Sequence, residues 1–285
     1  MARSAPRAVI FRRGPSKQVL LLSWNTTTDA IEAGQWLKGR IYERRCDLSP
    51  DGQLLLYFAA SWRQPYFSWS AVSRPPYLTA LALWPKGDGW GGGGHFQRRN
   101  EIALNHRETE MDLAEGFRLP KRLRVQPFGG RSGWGEDNPV WSRRLERDGW
   151  ILVSGGRVAK RNQDAKVWIE LDPPIVWEKP HPLAPERYVL QMTIRGIHER
   201  DGPWYLTEHE VSSGDAESRR VGRSDWADWS RSGDLLFAKQ GSLYRLGYAR
   251  GVLAPLSEAR EIVNLTSLKF ANREAPAEAK RWPKA

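Results

Sequence analysis

The sequence is poor in the residues from which chemistry is most often read. It holds one cysteine, Cys46, which excludes an internal disulfide and any metal site built from several thiolates. Cys46 sits in an apolar stretch leading into a turn, where a thiol packs as a small hydrophobe rather than serving as a nucleophile. Five histidines, His95, His106, His181, His198 and His209, are scattered without a His-x-x-x-His or His-Glu-x-x-His spacing, so no metal and no cofactor is expected. Apolar runs stay far below the ~18 residues of a membrane-spanning helix. Near the start, Val9-Ile10-Phe11 is cut short by Arg12-Arg13, too brief for the apolar segment of an export signal. The expectation is a cytoplasmic protein with no membrane insertion.

What is abundant is tryptophan and positive charge. Fifteen Trp occur in 285 residues. Each indole N–H wants a partner when buried, so such a number implies deep packing between sheets or a stacking surface, with packing the main use. Lys and Arg number 44 against 33 acids, a net charge of +11. That balance favours an anionic partner, nucleic acid included, but the basic residues are dispersed and form no unbroken basic tail.

The chain is organised around Cys46–Ala60, in which Ser49-Pro50-Asp51-Gly52 carries turn chemistry ahead of the apolar run Leu54–Ala60. Echoes follow at Arg147-Asp148-Gly149-Trp150, Arg200-Asp201-Gly202 and Ser230-Arg231-Ser232-Gly233-Asp234, each leading into aromatic and aliphatic residues. Short strands recurring with turn signals mean repeated small sheets. Expected strands include Ala8–Phe11, Lys17–Trp24, Leu54–Ala60, Tyr77–Trp84, Arg122–Phe128, Val140–Leu145, Trp150–Ser154, Val167–Leu171, Tyr188–Ile194 and Leu265–Ala271. Asn25–Gly34 and Ser212–Arg223 read as polar connections. Pro173-Pro174 reads as the end of one strand, with Ile175–Glu178 a separate outer one.

The Ser49-Pro50-Asp51-Gly52 motif and its degenerate copies resemble the blade repeats of TolB-like and WD40-like β-propellers. That resemblance implies an all-β, single closed β-propeller; counting the strand groups gives five blades over residues 1–272, with a polar, frayed tail at 273–285. An open ring edge invites aggregation, so Leu265–Ala271 is expected to pair beside Ala8–Phe11, the N- and C-terminal strands sharing one blade.

Candidate chemistry is sparse. Gly87-Asp88-Gly89-Trp90-Gly91-Gly92 has the form Gly-x-Gly-x-x-Gly, but Pro85 precedes it and a run of glycines disfavours the helix that would hold a pyrophosphate; a flexible loop on a propeller face is the expectation. Some five-bladed propellers cleave sugars with carboxylates in a central funnel. Here Asp47 and Asp228 precede turns and Glu136-Asp137 lie in a glycine-rich loop, Glu136 and Asp137 being the candidate catalytic pair. The most suggestive set is aromatic and glycine together: Trp62, Tyr66, Phe67 and Trp69 from one loop, Trp90 from the second, and Trp134 with Arg131 from the third. His95 is grouped with them. Glycine permits close approach and exposed Trp offers a face. The resulting expectation is a binding or scaffold module presenting this loop face to a protein partner. Its alternatives are a carbohydrate-active or other hydrolase and a nucleic-acid-binding protein.

Overall fold

The computed structural model describes residues 1–14, 17–214 and 218–284; Pro15 and Ser16 of the first expected hairpin loop, and residues 215–217 of the expected polar connection, lie outside them. The chain is all-β, 47% strand and 8% helix, with five sheets forming a five-bladed β-propeller. Its internal contacts define two compact units, Met1–Arg144 with Leu268–Ala285, and Leu145–Ser267.

The first unit holds three sheets. β1 (Arg7–Arg13), β2 (Gln18–Asn25) and β3 (Ile31–Lys38) form an antiparallel meander. In the next sheet β4 (Arg40–Ile41) and β5 (Asp47–Leu48) both pair with β6 (Leu55–Ala60), followed by β7 (Ser68–Ser73) and β8 (Ala80–Pro85). The third is β9 (Gly94–Arg98), β10 (Glu101–Leu104) and β11 (Arg124–Pro127), with β10 and β11 parallel. Every residue of β6 is buried, because its alternating side chains feed two cores. Leu55, Tyr57 and Ala59 pack with Val19 and Leu21 of β2. On the other face Leu56 joins Val72, Trp84, Phe96, Ile102 and Leu104. A strand clothed on both faces reads as a continuous apolar run, which is why Leu54–Ala60 stands out in the sequence.

The second unit holds two sheets and a ribbon. β12 (Ile151–Gly155) and β13 (Val158–Arg161) both pair with β14 (Val167–Pro180), and β15 (Tyr188–Glu199), β16 (Tyr205–Ser213) and β17 (Arg219–Arg223) follow in order. β18 (Trp226–Trp229), β19 (Leu235–Lys239) and β20 (Ser242–Leu246) form the other sheet. The ribbon β21 (Tyr248–Ala249) and β22 (Val252–Leu253) precedes β23 (Arg260–Asn264), which completes that sheet beside β20. His181 is the hub of this unit. Its Nε2 lies 2.8 Å from the Gly233 carbonyl, which can only accept, while Nδ1 receives the Leu183 and Ala184 N–H groups. Tyr188, Trp229 and Tyr248 surround the ring at 4.2–5.8 Å.

The same turn hydrogen bonding occurs at two of the motif's sites. Leu54 N–H donates to Ser49 Oγ and Gly52 N–H to the Ser49 carbonyl; Asp234 N–H donates to Ser230 Oγ and Gly233 N–H to the Ser230 carbonyl. Arg200-Asp201-Gly202 also turns the chain, between β15 and β16.

Several expectations are corrected. Val140–Leu145 is no strand but the start of helix α1 (Val140–Arg147). Pro139 fits a first helical turn, where its missing N–H is not needed, and Asn138 Oδ1 accepts from Ser142 Oγ. Asp148-Gly149 ends the helix rather than turning a hairpin: Gly149 has φ +90° and its N–H reaches the Glu146 carbonyl. A helix stop and a hairpin turn demand the same glycine. Asn25–Gly34 is partly β3 and Ser212–Arg223 partly β17, both polar because they are edge strands. β14 continues through Pro173-Pro174, its register with β15 shifting between Glu170 and Ile175.

Closure by a shared blade is also corrected. β1 pairs with β2 alone, and residues 265–271 form no strand. The tail nevertheless returns to the first unit, through side chains. Phe270 meets Trp36 at 5.9 Å between centroids, and the Gln35 amide donates to the Arg273 carbonyl. Arg74 donates to the Glu278 carbonyl and Arg122 to that of Pro283. Ala275 and Ala279 are buried and Trp282 packs on the second core, so residues 273–284 are a strap rather than a frayed end. Ending the chain at Ser267 is expected to lower the melting temperature markedly, and Trp282→Ala alone to cost about 2 kcal/mol. Urea unfolding that matches the parent for both variants would remove the strap from the account.

Candidate functional face

The site is built outward from a buried arginine in the first unit. Arg45 follows β4, and its side chain is only 2% exposed. Its Nε pairs with Asp137 at 2.9 Å, and one Nη donates to the carbonyls of Gly89 and Gly91 at 2.7 and 2.6 Å. The Tyr42 and Phe58 rings lie 4.7 and 5.2 Å from the guanidinium carbon. One side chain thus anchors the glycine loop and the loop after β11.

The glycine run is not a flexible surface loop, as its composition led us to expect. Gly91 through Gly94 are all buried. A Cβ on Gly92, at φ +78°, would stand 2.3 Å from the Phe58 ring, and one on Gly93 would stand 2.1 Å from the Arg45 carbonyl oxygen. Glycine allows close approach here, but what approaches is the protein's own interior. Gly91 N–H donates to the Gly135 carbonyl, Gly92 N–H to that of Asn105, and Gly93 N–H to Ser70 Oγ.

Beneath this loop lies a polar cluster that the scattered histidines did not announce. Ser70 Oγ and His106 Nε2 are 2.8 Å apart, and His106 Nδ1 is 3.0 Å from the Glu110 carbonyl. A carbonyl can only accept, so Nδ1 carries the proton and Nε2 accepts from the Ser70 hydroxyl. Lys86 Nζ lies between Asp88 and Glu110 at 2.9 and 3.0 Å. The serine–histidine spacing is that of a nucleophile and its base. Both side chains are wholly buried, however, and Ser70 Oγ is already an acceptor for Gly93, so the pair clamps the loop. Burial pushes the His106 pKa down to about 4, keeping the ring neutral. Cys46 is likewise structural: buried, with its thiol donating to the Tyr42 carbonyl and its pKa pushed up by burial to about 12.

On this floor three separate loops present tryptophans. Trp62, Trp90 and Trp134 are 48, 58 and 61% exposed. Of the fifteen Trp they are the three exposed ones, six others being buried. The Trp62 ring would stand 3.4 Å from a Cβ on Gly89, and Ser68 Oγ donates to the Asp88 carbonyl at 2.5 Å, tying the first loop to the second. Trp90 follows Gly89 directly, its N–H held by the Asp88 carboxylate at 2.9 Å. Trp134 is fixed by Asn105, whose amide donates to its carbonyl while the Asn105 side-chain oxygen accepts from Gly133 N–H. The Arg107 guanidinium lies over the Trp134 ring at 5.0 Å.

The remaining expected residues divide. Arg131 and Glu136 are exposed on the third loop, and Phe67 is exposed beside the Trp62 loop. Tyr66 and Trp69 both pack against the first core, Trp69 as strand alternation requires of the residue between Ser68 and Ser70. His95 is buried, edge-on to Phe128 at 4.9 Å between centroids. Of the expected catalytic pair, Asp137 is held by Arg45 while Glu136 faces solvent. Asp47 accepts from Phe96 N–H at 2.8 Å, and Asp228 pairs with Lys179 at 2.6 Å. Among the described residues no group of three or more His, Cys, Asp or Glu could hold a metal, and no helix is long and apolar enough to cross a membrane. Two small clefts, one lined by Arg99, Arg122 and Trp282 and the other by Arg195, Glu208 and Arg220, include none of the three exposed rings.

No protein-family model matches the chain, and no curated protein matches it. Among solved structures, it is similar to the crystal structure of a Bacteroides fragilis protein provisionally assigned as a 6-phosphogluconolactonase. The two are 11% identical over 93% of this chain and 98% of that one, with a TM-score of 0.35, a likeness too slight to transfer an activity.

Two measurements test the floor. Gly92→Ala is expected to destabilise the protein by more than about 2 kcal/mol, through overpacking against Phe58 and an unfavourable φ; a parent-like melt would show that the loop is not packed as described. The unfolded chain takes up a proton on His106 near its ordinary value of 6.5, whereas the folded site resists until about 4. Stability present above pH 6.5 is therefore lost as pH falls toward 4, by about 3 kcal/mol. Urea unfolding across that window should show the slope, and His106→Gln should flatten it.

Proposed function

We propose that the protein is a binding module whose working surface is the Trp62–Trp90–Trp134 face, with Arg107 beside it, and that its partner is another protein. What carries this reading is that three loops distant in sequence are hydrogen-bonded into one platform whose indoles are left in solvent. Exposed tryptophan in a chain that buries most of its aromatic area is costly to keep unless it is used. Trp and Arg are the side chains most enriched at protein–protein hot spots. Each ring stands in solvent, 48 to 61% exposed, which suits a protein surface more than a small ligand enclosed in a cavity.

Immobilised full-length protein and the triple variant Trp62→Ala/Trp90→Ala/Trp134→Ala test it against extract of the source cells. Proteins retained by the parent should be lost by the triple variant, whose melting temperature stays the same because these side chains lie outside the cores. With a retained protein purified, each single substitution should weaken binding by about thirtyfold, the effect of a hot-spot loss near 2 kcal/mol. Retention of the same proteins at the same affinity by the triple variant would overturn the assignment.

A further inference from the structure

The positive charge of the chain belongs to one of its two units. The first unit carries 27 Lys and Arg against 15 Asp and Glu, the second 17 against 18. Cations that are dispersed in the sequence are then gathered by the topology of the third sheet. β9 leaves the buried glycine run at Gly94 and ends at Arg98, and β10 starts back from Glu101. β11 runs parallel to β10 from Arg124, whose N–H donates to the Asn100 carbonyl. The Arg98-Arg99 turn and the stretch Lys121-Arg122-Leu123-Arg124 therefore meet at the end of this sheet away from the tryptophan loops.

Lys284 joins them, because Arg122 donates to the Pro283 carbonyl just before it. Six exposed cations thus share two carboxylates: Asp51, which Arg99 meets at 2.8 Å, and Glu101, 3.5 Å from Arg98. Among the described residues no carboxylate pairs with Lys121, Arg122, Arg124 or Lys284. Leu123 and Trp282, the large apolar side chains nearest to them, pack on the second core. The first unit's exposed large apolar side chains, Trp62, Phe67, Trp90 and Trp134, all belong to the loops at the other end.

We infer that this basic end is a second binding surface, and that its ligand is double-stranded nucleic acid held through backbone phosphates. Charge complementarity calls for a polyanion, and four of the six cations are arginines, whose planar forks match phosphate oxygens bidentately. The side chains present then select among polyanions. An anionic lipid surface is held by cations together with apolar side chains that enter it. An acidic protein is held at a buried aromatic or arginine anchor in a packed pocket. A single strand needs aromatic faces for its unstacked bases. A duplex keeps its bases stacked inside and offers phosphates to cations alone, which is what this end supplies. Contacts to the backbone carry no sequence information, so binding is independent of sequence. The inference is independent of the tryptophan face, which lies at the opposite end of the same unit.

Fluorescence anisotropy of labelled, mixed-sequence DNA and RNA duplexes against the full chain tests it. At least one duplex should bind, and the log–log salt slope should be about −3.6, four net phosphates at ~−0.9 each. Lys121→Glu/Arg124→Glu should weaken binding by about tenfold or more and flatten the slope by about 2. Its melting temperature should stay the same, since neither side chain has a partner to lose. Lys121→Gln/Arg124→Gln, which removes the charge without reversing it, should fall between that variant and the parent. Lys160→Glu/Arg161→Glu makes the same change in net charge on exposed β13 of the second unit and should bind as the parent does. So should Trp62→Ala/Trp90→Ala/Trp134→Ala, which separates this surface from the tryptophan face. No binding of either duplex at low salt, equal loss from both charge reversals, tighter binding of the separated strands, or capture by phosphatidylserine vesicles in place of the duplexes would each overturn the proposal.

Discussion

A single buried guanidinium sets the architecture of the first unit's working end. Taking a charge out of water is expensive, and removing its partner afterwards is more so, so Arg45 holds on to whatever neutralises it. Here that is Asp137 from the loop after β11, the carbonyls of Gly89 and Gly91 from the loop after β8, and the rings of Tyr42 and Phe58. Arginine suits the place because its planar fork donates in several fixed directions at once. Each of those directions is a loop of different sequence origin, and their meeting point is the floor of the tryptophan face.

The glycine run follows from that constraint. Chain that must bring two carbonyls to one buried guanidinium, and then pass under Phe58, has no room for side chains; Gly92 and Gly93 are there for space as much as for φ. The displaced main-chain groups still need partners, which Ser70, Asn105 and Gly135 supply. Neutral His106 orients the Ser70 hydroxyl so that its oxygen stays open to Gly93. The resemblance of this pair to a catalytic dyad is thus a consequence of the hydrogen-bonding duty it performs in the dark of the core.

Much of this fold was legible in the sequence, for reasons that also explain where legibility stopped. Ser49-Pro50-Asp51-Gly52 and Leu54–Ala60 announced a turn and a doubly buried strand, because turn chemistry is local and a strand clothed on both faces has no polar alternation to disguise it. Asp148-Gly149 misled because a helix stop uses the same left-handed glycine as a hairpin, and the Pro139 that would have separated the two lies ten residues earlier. β3 and β17 were obscured by being polar edges. The tail looked frayed since its tethers are main-chain carbonyls reached by Arg74 and Arg122, a contact no local pattern encodes. At the candidate site, Trp62, Trp90 and Trp134 were visible as aromatics among glycines. Arg45 and Arg107, which hold them, were two of 44 basic residues and became distinguishable only through burial and position.

The exposed indoles gain their meaning from the rigidity beneath them. A loop that must be ordered on binding spends part of its interaction energy on that ordering, while one already fixed does not. Each of the three loops here is fixed close to its tryptophan: Trp90 N–H by Asp88, the Trp134 carbonyl by Asn105, and the Trp62 ring against the Gly89 backbone. Indole adds little entropy of its own, having two side-chain torsions to settle. A surface of this kind offers a large apolar area at small conformational cost, and its geometry is dictated by Arg45 several residues below. The same design makes it vulnerable from beneath, since any change that frees the glycine loop releases two of the three anchors together.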